Sequence, residues 1–206
     1  MAKTLLLLFK GSPISMFHIS FPEWDVNLFT WLNQLHADWL DPLMVFLSSY
    51  WSWIILFVII SFFMIRKSRV WGIREILLII CTVIVNNVIN TLVKILIQRP
   101  RPCQNEVLET IRVLENCGDN YSFYSAHSSN AFCLAVCTAM YFRNKYYTVL
   151  ILVWAFAVAY SRIYLGKHYP LDILFGISLG VLMSIAGNWL LKKYRGGGSL
   201  RLEKNK

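Results

Sequence analysis

Five stretches of apolar residues, at about 43–65, 75–97, 128–142, 147–163 and 171–191, are joined by polar links, of which 98–127 is by far the longest. Several approach or exceed the ~20 residues that a helix needs to cross a bilayer. Soluble domains carry roughly 25% charged residues. Here only 15% are charged, 57% are hydrophobic and the mean hydropathy is +0.52. This sets aside a soluble core and predicts an all-α, polytopic transmembrane helical bundle of about five to six spans. We read one domain over 1–206: an N-terminal interfacial segment (1–42), a helical bundle carrying the chemistry (43–192) and a basic cytoplasmic tail (193–206).

The net charge of +9 does not point to nucleic acid, because much of it sits between the apolar runs. Arg66, Lys67, Arg69 and Arg74 form one cluster, Arg143 and Lys145 a second, and Lys192, Lys193 and Arg195 a third. Basic residues collect in cytoplasmic loops. With five spans, these clusters share the cytoplasmic side, and the loop at 98–127 and the turn at 163–170 face outward. The expected location is therefore an integral membrane protein, of a bacterial inner membrane, with its polar loops facing the periplasm or exterior.

Pro22 to His36 reads as an amphipathic helix at the membrane surface. Leu28, Phe29, Trp31, Leu32 and Leu35 fall at helical spacing, and Trp24, Trp31 and Trp39 suit an interface. The Leu5–Leu8 run is too short to span and reads as a membrane-associated tail. Gly196-Gly197-Gly198-Ser199 reads as a flexible linker.

Ionisable groups are costly at membrane depth, so where they occur a functional site is the default expectation. Asn86, Asn90 and Lys94 repeat every four residues and so share one helix face. Asparagines there serve as interhelical hydrogen-bond glue. Lys94 could snorkel as a plain anchor, but it stands one turn before Gln98 and Arg99-Pro100-Arg101-Pro102, which gathers several cations. Next, Ser125-Ala126-His127-Ser128-Ser129-Asn130 precedes the third span. Helix capping accounts for Ser129 and Asn130 but not for His127, at the mouth of a helix N-terminus suited to anions. Finally, Ser161-Arg162 is followed by His168 and Asp172. Pro170 can open the fifth span. Asp172, four residues after His168, can take the proton of one ring nitrogen and leave the other free as a nucleophile. Gly176, Gly180 and Ser184 continue the Asp172 face with small residues, which let helices approach closely and turn Asp172 toward the bundle interior.

Lys94 with Arg101-Pro102, Ser125-Ala126-His127, and Ser161-Arg162 with His168 and Asp172 resemble the three-part signature of the type 2 phosphatidic acid phosphatase family over roughly the central 80 residues. The resemblance implies a metal-independent, cofactor-free membrane phosphatase. In it His168 attacks phosphorus, Asp172 orients His168, and His127 protonates the leaving oxygen and later helps activate water. Lys94, Arg101, Arg162 and Ser125 would hold the phosphoryl oxygens. The second motif departs from the family's Pro-Ser-Gly-His, reading Tyr124-Ser125-Ala126-His127. Alanine there adds a methyl where backbone would approach phosphate.

The implied partners are a lipid phosphate and the bilayer, with no nucleic acid. Undecaprenyl diphosphate or lipid A is favoured over phosphatidylglycerol phosphate and phosphatidic acid, because the site faces outward. A lipid phosphotransferase using the same histidine is one alternative, separable by labelled acceptors. A non-enzymatic anion-binding or transport protein is another, separable by phosphate release. Cys103 and Cys117, 14 positions apart in the outward loop, are a candidate disulfide on an oxidising side. Cys81, Cys133 and Cys137 read as buried small hydrophobes.

Overall fold

The computed structural model describes residues 21–105 and 111–203, with side chains through 193. The leucine run expected to be a membrane-associated tail lies outside the described residues, as do the side chains of the basic tail beyond Lys193. The chain is all-α. Helix α1 spans Glu23–Gln34, α2 Asp41–Ser48, α3 Tyr50–Lys67, α4 Arg69–Ile97, α5 Ala126–Phe142, α6 Lys145–Tyr164 and α7 Pro170–Glu203. A 3₁₀ turn at Pro102–Gln104 interrupts the long α4–α5 connection.

Four helices (α3, α4, α6 and α7) are long and apolar enough to cross a membrane. The third expected span, α5, is different. Its 17 residues cover about 26 Å at 1.5 Å per residue, and it packs against α3, α4, α6 and α7. Ala131, Phe132, Cys133, Leu134, Ala135 and Cys137 are all buried in the core. The short third span is thus a central helix among four of membrane length.

The seam between α5 and α7 fixes the geometry of the end that carries Asp172. Ser125, Ser129, Cys133 and Cys137 on α5 meet Gly176, Gly180, Ser184 and Asn188 on α7. A Cβ at Gly176 would stand 2.6 Å from the Ser125 carbonyl oxygen, and one at Gly180 only 2.2 Å from that of Ser129. Below them the Ser184 hydroxyl donates to the Cys133 carbonyl at 3.2 Å, and the Asn188 amide to the Cys137 Sγ at 3.5 Å. As the spacing predicts, the small residues allow backbone contact and Asp172 points inward, fully buried.

Four sequence expectations need correction. The first span is broken: Ser49 is extended (φ −78°, ψ 152°) and separates α2 from α3. The Ser49 hydroxyl donates to the Phe46 carbonyl at 2.7 Å and Ser52 to that of Ser49 at 2.9 Å, local bonds that compete with the helix ladder. In α1 the buried face is Asp25, Phe29 and Asn33, while Leu28, Trp31 and Leu35 face outward with Trp24 and Trp39. The helix therefore buries two polar groups beside Phe29 and turns much of its remaining apolar surface to its surroundings. Cys133 and Cys137 are buried, but Cys81 is exposed on α4. Finally, α7 continues as helix across the 196–199 segment expected to be a linker. Each glycine costs about 1 kcal/mol relative to alanine, but extending a formed helix avoids the cost of nucleating one.

Candidate active site

The α6–α7 turn supplies the His168–Asp172 pair. Pro170 opens α7, and Asp172 in its first turn reaches back to accept the Tyr169 backbone N–H at 2.9 Å through Oδ2, the carboxylate half of a capping box. His168 Nδ1 lies 3.5 Å from the same oxygen. The Ser122 hydroxyl also donates to Asp172 Oδ2 and lies 3.5 Å from His168 Nδ1. His168 and Asp172 are both buried. Burial first, and then the charges of Lys94, Arg101 and Arg162, push the His168 imidazole well below its ordinary value. It is therefore neutral at physiological pH, the form a nucleophile requires.

The cations come from three elements. Lys94, in the last turn of α4, donates to the Tyr121 carbonyl, and Arg101 Nε donates to that of Asn120 at 2.8 Å. Both thus hold the 119–125 segment against the bundle. Arg162 on α6 donates through Nη1 to the Ser48 hydroxyl, which the break after α2 presents. Its Nε is buried and has no hydrogen-bond partner among the described residues. All three cations are buried. Such donors, with their charge in a water-poor setting, suit an anion.

Ser125 is the N-cap of α5. Its hydroxyl accepts the Ser128 N–H at 3.3 Å and the Ser128 hydroxyl at 3.0 Å. Capping therefore belongs to Ser125, not to Ser129 or Asn130. Those two bind α4 instead: Ser129 donates to Asn86 Oδ1 at 2.9 Å, and the Asn86 amide donates to Asn130 at 2.5 Å. Asn90 donates to the Tyr124 carbonyl at 2.7 Å. Both asparagines are structural cross-links between α4 and the segment leading into α5, as expected of polar groups at a helix interface. His127, in the first turn of α5, packs edge-on against Trp53, with centroids 6.1 Å apart. It lies within electrostatic reach of Arg162, His168 and Lys167.

Sequence reasoning missed three residues. Arg99 donates to Asp172 Oδ1 at 2.6 Å and to Asp25 Oδ2 at 2.5 Å. Its guanidinium centre lies 3.7 Å from the Phe21 ring centroid and 3.9 Å from that of Tyr169. Asp25 and Ser122 complete the set. Only Arg99 carried a signal, as part of an arginine run. The structure also pairs Cys103 with Cys117, Cα atoms 5.9 Å apart. The Cys103 N–H donates to the Gly166 carbonyl at 3.1 Å, joining the arginine loop to the His168 turn.

A buried histidine beside a carboxylate thus lies with three buried cations at one end of the helix bundle. The chain belongs to the PAP2 superfamily, whose profile matches residues 75–195. It is 32% identical to a lipid A 4'-phosphatase of Porphyromonas gingivalis, over 84% of this chain and 73% of that one. It is 30% identical to the undecaprenyl-diphosphatase BcrC of Bacillus subtilis, over 72% of this chain and 73% of the relative. The crystal structure of a PAP2-type phosphatidylglycerolphosphate phosphatase from B. subtilis shares the fold, with a TM-score of 0.70, 24% identity and coverage of 93% of this chain and 96% of that one. The chain is an integral membrane hydrolase of phosphoric esters, a lipid phosphatase.

Proposed function

We propose that this enzyme hydrolyses the phosphate monoester of a lipid A-type glycolipid through a phosphohistidine at His168. The observation that carries the chemistry is the neutral His168 on Asp172 beneath Lys94, Arg101 and Arg162. His168 Nε2 attacks phosphorus while Asp172 holds the Nδ1 proton. The bond from phosphorus to the lipid oxygen breaks, and that oxygen takes a proton from the imidazolium form of His127, which the negative charge of the bound phosphate favours. Water then gives a proton to His127 and attacks the phosphohistidine, releasing inorganic phosphate and restoring His168. Lys94, Arg101, the unpartnered Nε of Arg162 and the α5 N-terminus capped by Ser125 neutralise the equatorial oxygens, the main requirement of phosphoryl transfer. These groups supply the positive charge without a metal.

Two observations support the substrate. Four buried cations (Lys94, Arg99, Arg101 and Arg162) face two buried carboxylates (Asp25 and Asp172). The net +2 matches a phosphate monoester dianion, and the P. gingivalis relative is named for one. A groove of about 760 Å³ between α3 and α6 runs from Phe63 and Tyr147 up to Leu47, beside Ser48, and Trp154. Trp154 packs edge-on against Trp53, which contacts His127, so a lipid tail in this groove would bring its head group to the histidines. The second reading, undecaprenyl diphosphate, is supported by the B. subtilis relative. The basic α3–α4 and α5–α6 turns, where Lys67 donates to the Tyr141 and Phe142 carbonyls, lie at the other end of the bundle. That supports a site facing away from the cytoplasm, and in a bacterium the inner membrane with a periplasmic site.

The test is phosphate release from lipid A and from undecaprenyl diphosphate in matched detergent micelles, with and without a chelator. Lipid A is expected to be the better substrate and activity to survive chelation. His168→Ala should abolish turnover, and labelled substrate should leave an acid-labile, alkali-stable phosphoprotein in the wild type only. A His168→Ala enzyme that retains most of its activity would overturn the mechanism.

A further inference from the structure

Asp25 lies on α1, outside the family match, yet it is fully buried and bonded into the site. Its Oδ2 accepts Arg99 Nη2 at 2.5 Å, and its Oδ1 accepts the Leu171 backbone N–H at 2.8 Å. Leu171 is in the first turn of α7, one residue before Asp172, so its N–H is one of those a helix start leaves free. Arg99 spends its other terminal nitrogen on Asp172 Oδ1. Between the rings of Phe21 and Tyr169 it cannot swing away. One planar guanidinium thus bridges two carboxylates, a geometry that lysine cannot reproduce.

We propose that Asp25 and Arg99 act as a pair of positioning residues that set both the orientation of Asp172 and the net charge of the phosphate site. The proposal rests on the reading of His168 and Asp172 as the nucleophile pair. Asp172 has two oxygens for four donors. Oδ2 faces His168, Ser122 and the Tyr169 N–H, and Oδ1 is held, among the described residues, by Arg99. Arg99 therefore fixes the rotation of the carboxylate that presents Oδ2 to His168. Asp25 takes up half of the Arg99 charge. If Asp25 were neutral, that charge would fall wholly on Asp172 and loosen its hold on the His168 proton. The site would also carry one more net positive charge beside the phosphate. α1 thereby becomes part of the site, not an external anchor.

The two partners should have opposite effects on anion binding, which a simple loss of folding would not produce. Asp25→Asn keeps the acceptor for the Leu171 N–H but removes the negative charge. It should lower kcat on the order of a hundredfold, the scale on which about 1 Å of misplacement acts, while inorganic phosphate inhibits about tenfold more tightly through the added field. Arg99→Gln should also lower kcat but weaken phosphate inhibition by a similar factor. Asp25→Glu, which keeps the charge, should restore the wild-type inhibition constant. Rates are normalised to the monodisperse fraction in detergent. Asp25→Asn with kcat within twofold of wild type, or with phosphate inhibition unchanged or weakened, would overturn the proposal. His168→Ala is assayed in parallel. If it stays active, the nucleophile assignment fails, whereas inhibition constants that ignore Asp25 with a dead His168→Ala sink only the pairing.

Discussion

Replacing Gly180 with alanine tests the α5–α7 seam. The new Cβ would lie 2.2 Å from the Ser129 carbonyl oxygen and 3.0 Å from its carbonyl carbon. An ordinary carbon–oxygen contact is about 3.3 Å, so the two helices must separate by about 1 Å. The obstacle is backbone, and no rotamer change relieves it. Overpacking of this kind costs about 1–3 kcal/mol, and a backbone-on-backbone clash belongs at the upper end. The gain in helix propensity offsets about 1 kcal/mol, leaving a net loss of about 2 kcal/mol. For a chain of this size that lowers Tm by about 4–8 °C. Gly187→Ala is the control, because the nearest atom to its Cβ would be Leu78 Cδ1 at 3.0 Å, a side-chain end that can rotate away, with the next atoms at 3.6 Å. It should melt within a few degrees of wild type. The assay follows the reaction of a thiol-specific fluorophore with Cys133 and Cys137, both buried on this helix pair, in a Cys81→Ser background, since Cys81 is exposed. The same 1 Å shift lies about two turns from Asp172, so Gly180→Ala should also lose about a hundredfold in kcat. A Gly180→Ala enzyme that melts at or above the wild-type temperature with full activity would refute the close-contact reading.

Three further outcomes follow from the site. Reducing the Cys103–Cys117 bridge, which closes a loop of about 15 residues, should cost about 3 kcal/mol and lower both Tm and phosphate release, whereas a Cys103→Ser/Cys117→Ser enzyme should not respond to reductant. Ser48→Ala removes the hydroxyl bound by Arg162 Nη1; KM should rise about tenfold with a smaller change in kcat, and an unchanged KM would exclude Ser48 from orienting the arginine. The depressed His168 makes the folded state bind a proton less readily than the unfolded chain, so its contribution to stability is complete above the ordinary imidazole value of 6.5 and is lost as pH falls below it. Thermal midpoints measured from pH 8 to pH 5 should therefore fall on the acid side, and His168→Ala should flatten that fall.

What the sequence made legible was local. Asn86, Asn90 and Lys94, the His168–Asp172 spacing and the Gly176–Gly180–Ser184 face are all set by helical periodicity over a few turns, and they stand where that period puts them. What it hid was long-range. In the sequence Asp25 looks like an acid placed in the first turn of a helix to suit its dipole. Nothing near it signals partners 74 and 146 positions away. Ser48 and Ser49 sit in an otherwise apolar run, so hydropathy joined what local hydroxyl bonds divide. The N-cap of α5 fell on Ser125 because the chain bends there to donate its N–H to the Asp172 carbonyl at 3.0 Å, another contact invisible to spacing.

The bond from the Leu171 N–H to Asp25 also has a consequence in time. It joins residues 146 positions apart, and a ribosome adding about 5–20 residues per second needs about 7–30 s to make that stretch. Throughout this interval Asp25 lacks the Leu171 N–H, and for the first half of it Arg99 as well. A helix with a greasy inner face would spend those seconds seeking other apolar surfaces. Because α1 keeps its carboxylate and amide on the face destined for burial, it can wait hydrated at the membrane surface until α7 emerges, and the last closure of the molecule is also the one that completes its charge balance.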